Sequence, residues 1–114
     1  MSDGGPILRV FEVRTKPGCI DKLLESFATT SADVVQNEPG NRGYFFGNCV
    51  QGGDNVVMFV SVWQNLEVVK TRFGQDWHQS YLPAGYEELI EECSIRHFNV
   101  SDGWHVHGRS EGEV

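Results

Sequence analysis

The sequence predicts an α+β domain of the ferredoxin-like type, in which a split β-α-β unit builds an antiparallel sheet with helices on one face. Three observations predict this class. The length of 114 residues is that of one domain. Strand-like and helix-like patterns follow one another in the order β-α-β-β-α-(α)-β. Two neighbouring strand-like runs are apolar at nearly every position, which predicts that both faces of the sheet are covered.

The first half of the chain predicts a strand, a long helix and a second strand. Residues 7–15 (ILRVFEVRT) are β-rich and partly alternating. Pro17 suits the first turn of a helix over residues 18–37, which Glu38-Pro39-Gly40-Asn41 ends. The apolar residues of this helix recur at spacings of three, four and seven, and they are Ile20, Leu23, Leu24, Phe27, Val34 and Val35. Residues 43–50 (GYFFGNCV) predict the second strand.

The second half predicts a hairpin, two short helices and a last strand. GGDN, at residues 52–55, is a turn signal before a third strand over residues 56–63. Asn65 is a suitable N-cap for a short helix that carries Leu66, Val69 and Phe73 on one side, and Gly74 can end it. Another short helix is predicted to begin at Pro83, with Tyr86, Leu89 and Ile90 inward. The last strand is predicted at residues 93–100, and residues 101–114 form a tail that is loose or adds an edge.

The apolar second and third strands also predict an oligomeric state. A strand with one face in water should alternate apolar and polar residues, and these two do not. Helices can cover only one face of such a sheet. The same face of a second copy can cover the other, so the pattern predicts a two-fold homodimer.

Composition excludes several classes of function. With 9 Lys and Arg against 16 Asp and Glu, the net charge is −7, and no basic stripe favours nucleic acid. No run approaches the roughly 18 apolar residues of a membrane span. MSDGGP has neither the basic nor the apolar part of a signal peptide, so a cytoplasmic location is expected.

The cysteines and the tail histidines favour neither disulfides nor a metal site. The chain has an odd number of cysteines, and they are far apart in the sequence: Cys19, Cys49 and Cys93. No CxxC pair occurs. His105 and His107 would point the same way in a strand, and two imidazoles can share a metal, but no third ligand is apparent. No nucleophilic Ser or Cys motif and no phosphate-binding glycine loop is present. We therefore expect no metal and no cofactor.

Four stretches within roughly residues 7–100 form a combined pattern: KPG before an amphipathic helix, EPGNRGYFF, FVSVWQNLEVVKTRFG and the strand ending in RHFNV. This pattern resembles that of the antibiotic biosynthesis monooxygenase family, which is part of the dimeric α+β barrel superfamily. It implies a sheet that pairs with a second copy to close a barrel, and a cavity between sheet and helices in each subunit. Members of the family include cofactor-independent oxygenases of polycyclic phenols, quinol monooxygenases and heme-degrading enzymes.

The resemblance implies roles for residues near the predicted cavity. Trp63 matches the family's Trp at the end of the third strand, where it can stack on a planar substrate; the alternative is that it packs between sheet and helix. Trp77, His78 and Tyr81 can form an aromatic lid, with His78 as general base and Tyr81 orienting the substrate. The alternative is a loop that places Trp77 in the core and leaves His78 in water.

Two further residues are candidates for substrate binding. His97 matches a family pattern close to H-Y-x-V and faces either the cavity or the dimer interface; a core His with one hydrogen bond is the alternative. Arg9 on the first strand can present charge to a cavity, although most strand charges face water.

Heme degradation is disfavoured. Heme-degrading relatives carry a polar Asn on the first strand and a Trp just before the matched one, where this chain has Phe11 and Val62. Their ligand His also lies several residues later than His78. The predicted function is therefore a cofactor-independent monooxygenase of a small planar aromatic or quinol-like substrate. The alternatives are a non-enzymatic small-ligand-binding dimer and, third, a heme-binding or heme-degrading protein.

Overall fold

The structure, a computed structural model, describes residues 5–51 and 55–100. Its elements in chain order are β1 (Ile7–Thr15), α1 (Ile20–Ser26), a π-helical segment (Phe27–Ser31), α2 (Ala32–Val35), β2 (Asn41–Asn48), β3 (Val56–Trp63), α3 (Leu66–Phe73), two 3₁₀ turns (Gly74–Asp76 and Tyr86–Glu88) and β4 (Ile90–Asn99). The predicted tail and residues 52–54 of the predicted turn lie outside the described residues.

The four strands form one antiparallel sheet in the order β2-β3-β1-β4. This order is that of a ferredoxin-like fold and confirms the predicted class. The predicted strands and the predicted long helix are all present. The first and third strands have the predicted bounds, and the other boundaries differ by one to three residues.

One predicted element is wrong. The helix expected from Pro83 is a single 3₁₀ turn, Tyr86–Glu88, that follows Gly85 in a left-handed conformation with φ 91°. Ile90 belongs to β4 instead, where it pairs with Thr15 of β1. Pairing along the whole of β1 therefore outweighs the weak helical pattern of this segment. Tyr86 is nevertheless buried, as predicted.

The core lies between one face of the sheet and the helices. Phe27 is fully buried at its centre, with ring centroids 5.4 Å from Phe59 and 6.2 Å from Phe11. Trp63 is also fully buried, and its ring packs edge-on against Phe73 of α3 at 5.7 Å. The side chain of Asn65 accepts a hydrogen bond from the backbone N–H of Val68 at 3.0 Å, which confirms the predicted N-cap of α3.

The opposite face of the sheet carries no helix in the described residues, and we call it the helix-free face. The register places Phe45, Val60 and Val10 side by side on it. Phe45 and Phe98 are each 44% exposed, although both are large and apolar. The sheet thus has an apolar surface on the side away from the core, as the apolar strands predicted.

No helix among residues 5–51 and 55–100 combines the length and the apolar character that crossing a bilayer requires.

Candidate functional site

A small cleft of about 40 Å³, continuous with solvent, opens between the sheet and the helices. Aromatic and aliphatic side chains predominate in its lining, which consists of Arg9, Phe11, Ser31, Val34, Val35, Phe59, Ser61, Phe73, Tyr81, Pro83 and Ile95. Among them Arg9 alone carries a formal charge at neutral pH. An apolar cleft with a few convergent polar groups is the usual form of a small-molecule site.

Arg9 is held inside the domain by strand alternation and by three hydrogen bonds. It lies on β1 with the same parity as Phe11 and Val13, so its side chain enters the helix-covered side and is only 5% exposed. Its Nη1 donates to the carbonyl oxygen of Trp77 at 2.6 Å and to Nε2 of His97 at 2.9 Å, and Nη2 donates to the carbonyl oxygen of Gln79 at 3.3 Å. The guanidinium also lies over the Phe73 ring, 3.7 Å from its centroid.

The charge of Arg9 has no countercharge in the described part of the chain. No carboxylate there lies within 4 Å of its nitrogens. Burial, and then repulsion from Arg72, lowers the pKa of Arg9 to about 10, so it stays protonated at neutral pH. Arg72 itself pairs with Glu38, with 3.1 Å between Nε and the carboxylate. The positive charge at the cleft is therefore that of Arg9.

His97 is neutral because of where it lies. It pairs with Arg9 across the β1–β4 ladder and shares a hydrogen bond with it. Burial, then the charge of Arg9, then His78 lower the pKa of His97 to about 4. An arginine can only donate, so Nε2 of the imidazole accepts and Nδ1 carries the hydrogen.

A second buried polar pair lies on the helix side of the cleft. Oγ of Ser31 and the hydroxyl of Tyr86 are 2.6 Å apart, and the Tyr86 hydroxyl also donates to the carbonyl oxygen of Ser26 at 3.1 Å. Ser31 ends the π-helical segment Phe27–Ser31. Such π-helical segments are rare and occur frequently at functional sites. Desolvation raises the pKa of Tyr86, so its hydroxyl stays protonated.

The structure brings some of the predicted site residues to the cleft and leaves others outside its lining. Arg9 and Tyr81 line it, and Tyr81 is 50% exposed. His97 is hydrogen-bonded to Arg9 but is not part of the cleft lining. Trp77 packs edge-on against the His97 ring, with 5.0 Å between the two centroids. Trp63 is in the core, where its Nε1 donates to Oγ of Ser61 at 2.8 Å.

His78 is exposed and does not contribute to the cleft lining. Its ring lies edge-on to Trp77, with 5.5 Å between the centroids. A general base must lie within hydrogen-bonding reach of the proton that it removes. His78 can therefore act only on a substrate atom that projects from the cleft.

Several lining residues went unnoticed in the sequence. Ser31 and Ser61 are small polar residues in apolar runs and carry no motif. A signal did exist for Arg9, because residues 7, 9, 11 and 13 share one face of a strand and the other three are apolar. That parity predicts that the side chain of Arg9 points toward the helices and not into solvent.

The described residues contain no group of three or more His, Cys, Asp or Glu side chains that could hold a metal ion, and the three cysteines are free thiols. His105 and His107 fall outside the described residues. No histidine of the described part lines the cleft, so the cleft offers no imidazole ligand for heme iron.

The family model for antibiotic biosynthesis monooxygenase matches residues 6–82, which is more than half of the chain. The chain belongs to the antibiotic biosynthesis monooxygenase family. The match includes β1 to α3 and the segment up to Leu82, and so it contains most of the cleft lining. No curated protein has a sequence that matches this chain.

Solved structures share the fold of this family member at low sequence identity. Protein SO0527 from Shewanella oneidensis is 20% identical with a TM-score of 0.67, over 85% of this chain and 92% of that one. A point mutant of SnoaB, a cofactor-independent oxygenase from Streptomyces nogalater, is 16% identical with a TM-score of 0.66, over 85% and 94%. The heme-degrading protein Rv3592 from Mycobacterium tuberculosis is 23% identical with a TM-score of 0.65, over 92% and 99%. At these identities the likeness concerns the fold alone.

Proposed function

We propose that this family member is a cofactor-independent monooxygenase of a small planar aromatic or quinol-like substrate. The observation that carries the proposal is the cleft itself, whose lining is aromatic and aliphatic around one buried cation. Phe11, Phe59 and Phe73 offer ring surfaces for a planar molecule. Family membership and the fold shared with SnoaB support the same class of reaction.

The proposed reaction uses the substrate as its own reductant. Loss of a proton from a phenolic hydroxyl, or from the C–H that is conjugated with the carbonyl group in anthrone, gives a delocalised anion, which transfers one electron to oxygen. The radical pair combines into a peroxide, and the returned proton gives a hydroperoxide. Loss of water then leaves a carbonyl group, so one oxygen atom enters the product and the other leaves as water. The cleft contributes orientation of the substrate between its aromatic side chains, and Tyr81, which lines it, is our proposed hydrogen-bond partner of the substrate.

His78 is our proposed base for the first proton. Replacement by Ala should lower turnover by roughly 10²-fold, the usual contribution of general base catalysis. His78→Gln, which keeps a polar side chain of similar length, should be equally slow. A rate within twofold of wild type in both variants would show that another group, or water, takes the proton.

Oxygen uptake tests the proposed activity. Anthrone and 1,4-naphthohydroquinone are suitable probes, with the rate of their spontaneous oxidation subtracted. Val34 lines the cleft, whereas Val50 is 95% exposed, so Val34→Phe should reduce uptake and Val50→Phe should not. Uptake that is equal in both variants, or no greater than with heat-denatured protein, would refute the proposal.

A second candidate is a non-enzymatic small-ligand-binding protein of the same fold. The observation in its favour is that no His, Asp or Glu of the described residues lines the cleft, so no general base lies within it. In that case anthrone or the quinol should bind and be recovered unchanged. A heme-binding protein, the third alternative, would take up hemin with a sharp Soret band, and the lining offers it no imidazole.

We also propose that two copies pair through the helix-free face to form a homodimeric α+β barrel. The exposed Phe45, Met58 and Phe98 on that face support it, since monomers rarely expose contiguous apolar surface of this kind. Sedimentation equilibrium should give twice the chain mass of 12.8 kDa. Phe45→Glu should give monomers, whereas Lys22→Glu on the exposed side of α1 should not. A monomeric wild type would refute the pairing.

A further inference from the structure

We infer that the cleft selects aromatic ligands that carry an anionic oxygen group, and that Arg9 is the counterion of that group. The inference concerns the same cleft as the proposed function and narrows its ligand class. It covers carboxylates and ionised phenols or enols, which present the same negatively charged oxygen to a guanidinium.

The first support is an isolated charge in an apolar setting. Arg9 is 95% removed from solvent, yet it lies beyond 4 Å of every carboxylate in residues 5–51 and 55–100. Buried charges in proteins are normally paired, because an unpaired charge loses its hydration without compensation. Arg72, the other arginine beside the Phe73 ring, is by contrast paired with Glu38. An anionic ligand would supply the missing countercharge.

The second support is the supply of free donors. A guanidinium has five N–H groups. Three of those on Arg9 are used, by the carbonyl oxygens of Trp77 and Gln79 and by Nε2 of His97. All three acceptors are neutral, so they fix the orientation of the side chain without cancelling its charge. Two donors remain without an acceptor in the described residues, and two is the number that a carboxylate accepts in a bidentate pair.

The third support is the contrast between this position and the rest of the chain. The net charge of −7 repels anions from the protein in general. At the cleft, Arg9 has no carboxylate partner in the described residues, and its neighbour His97 is uncharged. The guanidinium groups of Arg9 and Arg72 lie 3.7 and 5.1 Å from the centroid of the Phe73 ring. A chain that is acidic overall thus places a positive charge against the aromatic lining of its cleft.

The experiment compares two ligands of nearly the same shape. Binding of 1-naphthoate and of its neutral amide, 1-naphthamide, is measured by isothermal titration calorimetry on the wild-type protein. A charge-assisted pair predicts that the naphthoate binds at least about 10-fold more tightly. Equal affinities, or tighter binding of the amide, would overturn the inference without the need for any variant.

Variants then assign the preference to one residue. Arg9→Met keeps an apolar stem of similar length and should abolish the preference for naphthoate while it retains naphthamide binding. Arg9→Lys should keep part of the preference. Lys22→Met, on the exposed side of α1, removes the same charge and should change neither affinity. If a folded Arg9→Met protein still prefers naphthoate, a group other than Arg9 is responsible for the preference.

A third ligand distinguishes the two sources of the anion. If the cleft accepts ionised phenols, bound 2-naphthol should show the absorption spectrum of its anion at a pH at least about one unit below that in free solution. If the cleft accepts carboxylates only, naphthoate alone should respond to Arg9→Met. Both tests are independent of oxygen. Selective binding without oxygen uptake would refute the oxygenase proposal alone, and oxygen uptake without anion selectivity would refute this inference alone.

Discussion

Mild acid should destabilise this protein through His97. In the folded state burial and the neighbouring charge of Arg9 hold the pKa of His97 at about 4, against an ordinary value of 6.5. The unfolded chain therefore binds a proton at His97 between these two pH values, and the folded chain does not. Since stability rises with pH wherever the unfolded state binds more protons, His97 lowers stability as the pH falls from 6.5 to 4.

The size of the effect follows from the separation of the two pKa values. A difference of about 2.5 units corresponds to an upper limit of about 3.4 kcal/mol. The imidazole is only half-buried, so solvent screens the repulsion from Arg9, and we halve the value. Between pH 7.5 and 4.5, His97 should then reduce the free energy of unfolding by about 1–2 kcal/mol.

Urea unfolding at a series of pH values measures this contribution against a matched variant. His97→Asn keeps a side chain that can accept the hydrogen bond from Arg9 but does not titrate in this range. The wild type should lose about 1–2 kcal/mol more than the variant between pH 7.5 and 4.5, and NMR titration should show the imidazole neutral at pH 5.5. Parallel pH profiles for the two proteins, or an imidazole that protonates near pH 6.5, would refute the reasoning.

Two further predictions concern stability. Tyr86→Phe removes the hydroxyl that lies 2.6 Å from Oγ of buried Ser31, so it should cost about 1–2 kcal/mol in urea unfolding; an unchanged midpoint would mean that water replaces this bond. Gly40→Ala should cost about 2–3 kcal/mol, because residue 40 has φ +86° and its new Cβ would lie 2.8 Å from Val68. Gly18→Ala is the matched control, because residue 18 has φ +79° but a Cβ there would meet no atom within 4 Å, and it should cost only about 1 kcal/mol. Equal losses of stability in the Gly40→Ala and Gly18→Ala variants would show that the contact with Val68 is relieved at no cost.

Most of the fold could be predicted because its signals are local. Strand alternation gave β1, apolar spacing gave the first helix, and Asn65 with Gly74 marked the ends of α3. The π-helical segment Phe27–Ser31 could not be predicted, since its apolar spacing differs little from that of an α-helix. The segment after Pro83 failed for a related reason. Its short helical pattern competes with nine residue pairs between β4 and β1, which are long-range contacts that a local sequence pattern does not contain.

The site was less predictable because it is assembled from distant parts of the chain. Tyr81 and Arg9 both line the cleft, although 72 positions separate them along the chain. The sequence favoured His78, since imidazoles titrate near neutral pH, whereas the structure leaves its ring in solvent. Conversely, Arg9 looked like an ordinary strand charge. Its importance comes from burial and from the lack of a nearby carboxylate, which depend on the whole fold.

The hydrogen bonds from Arg9 to the segment 77–79 have an evolutionary consequence. They end on the main-chain carbonyl oxygens of Trp77 and Gln79, and these atoms are the same whatever side chains the two positions carry. Mutations there can exchange the side chains beside the arginine while the backbone keeps its position. The path of the backbone through this segment, and not the identity of residues 77 and 79, therefore sets the orientation of the buried guanidinium.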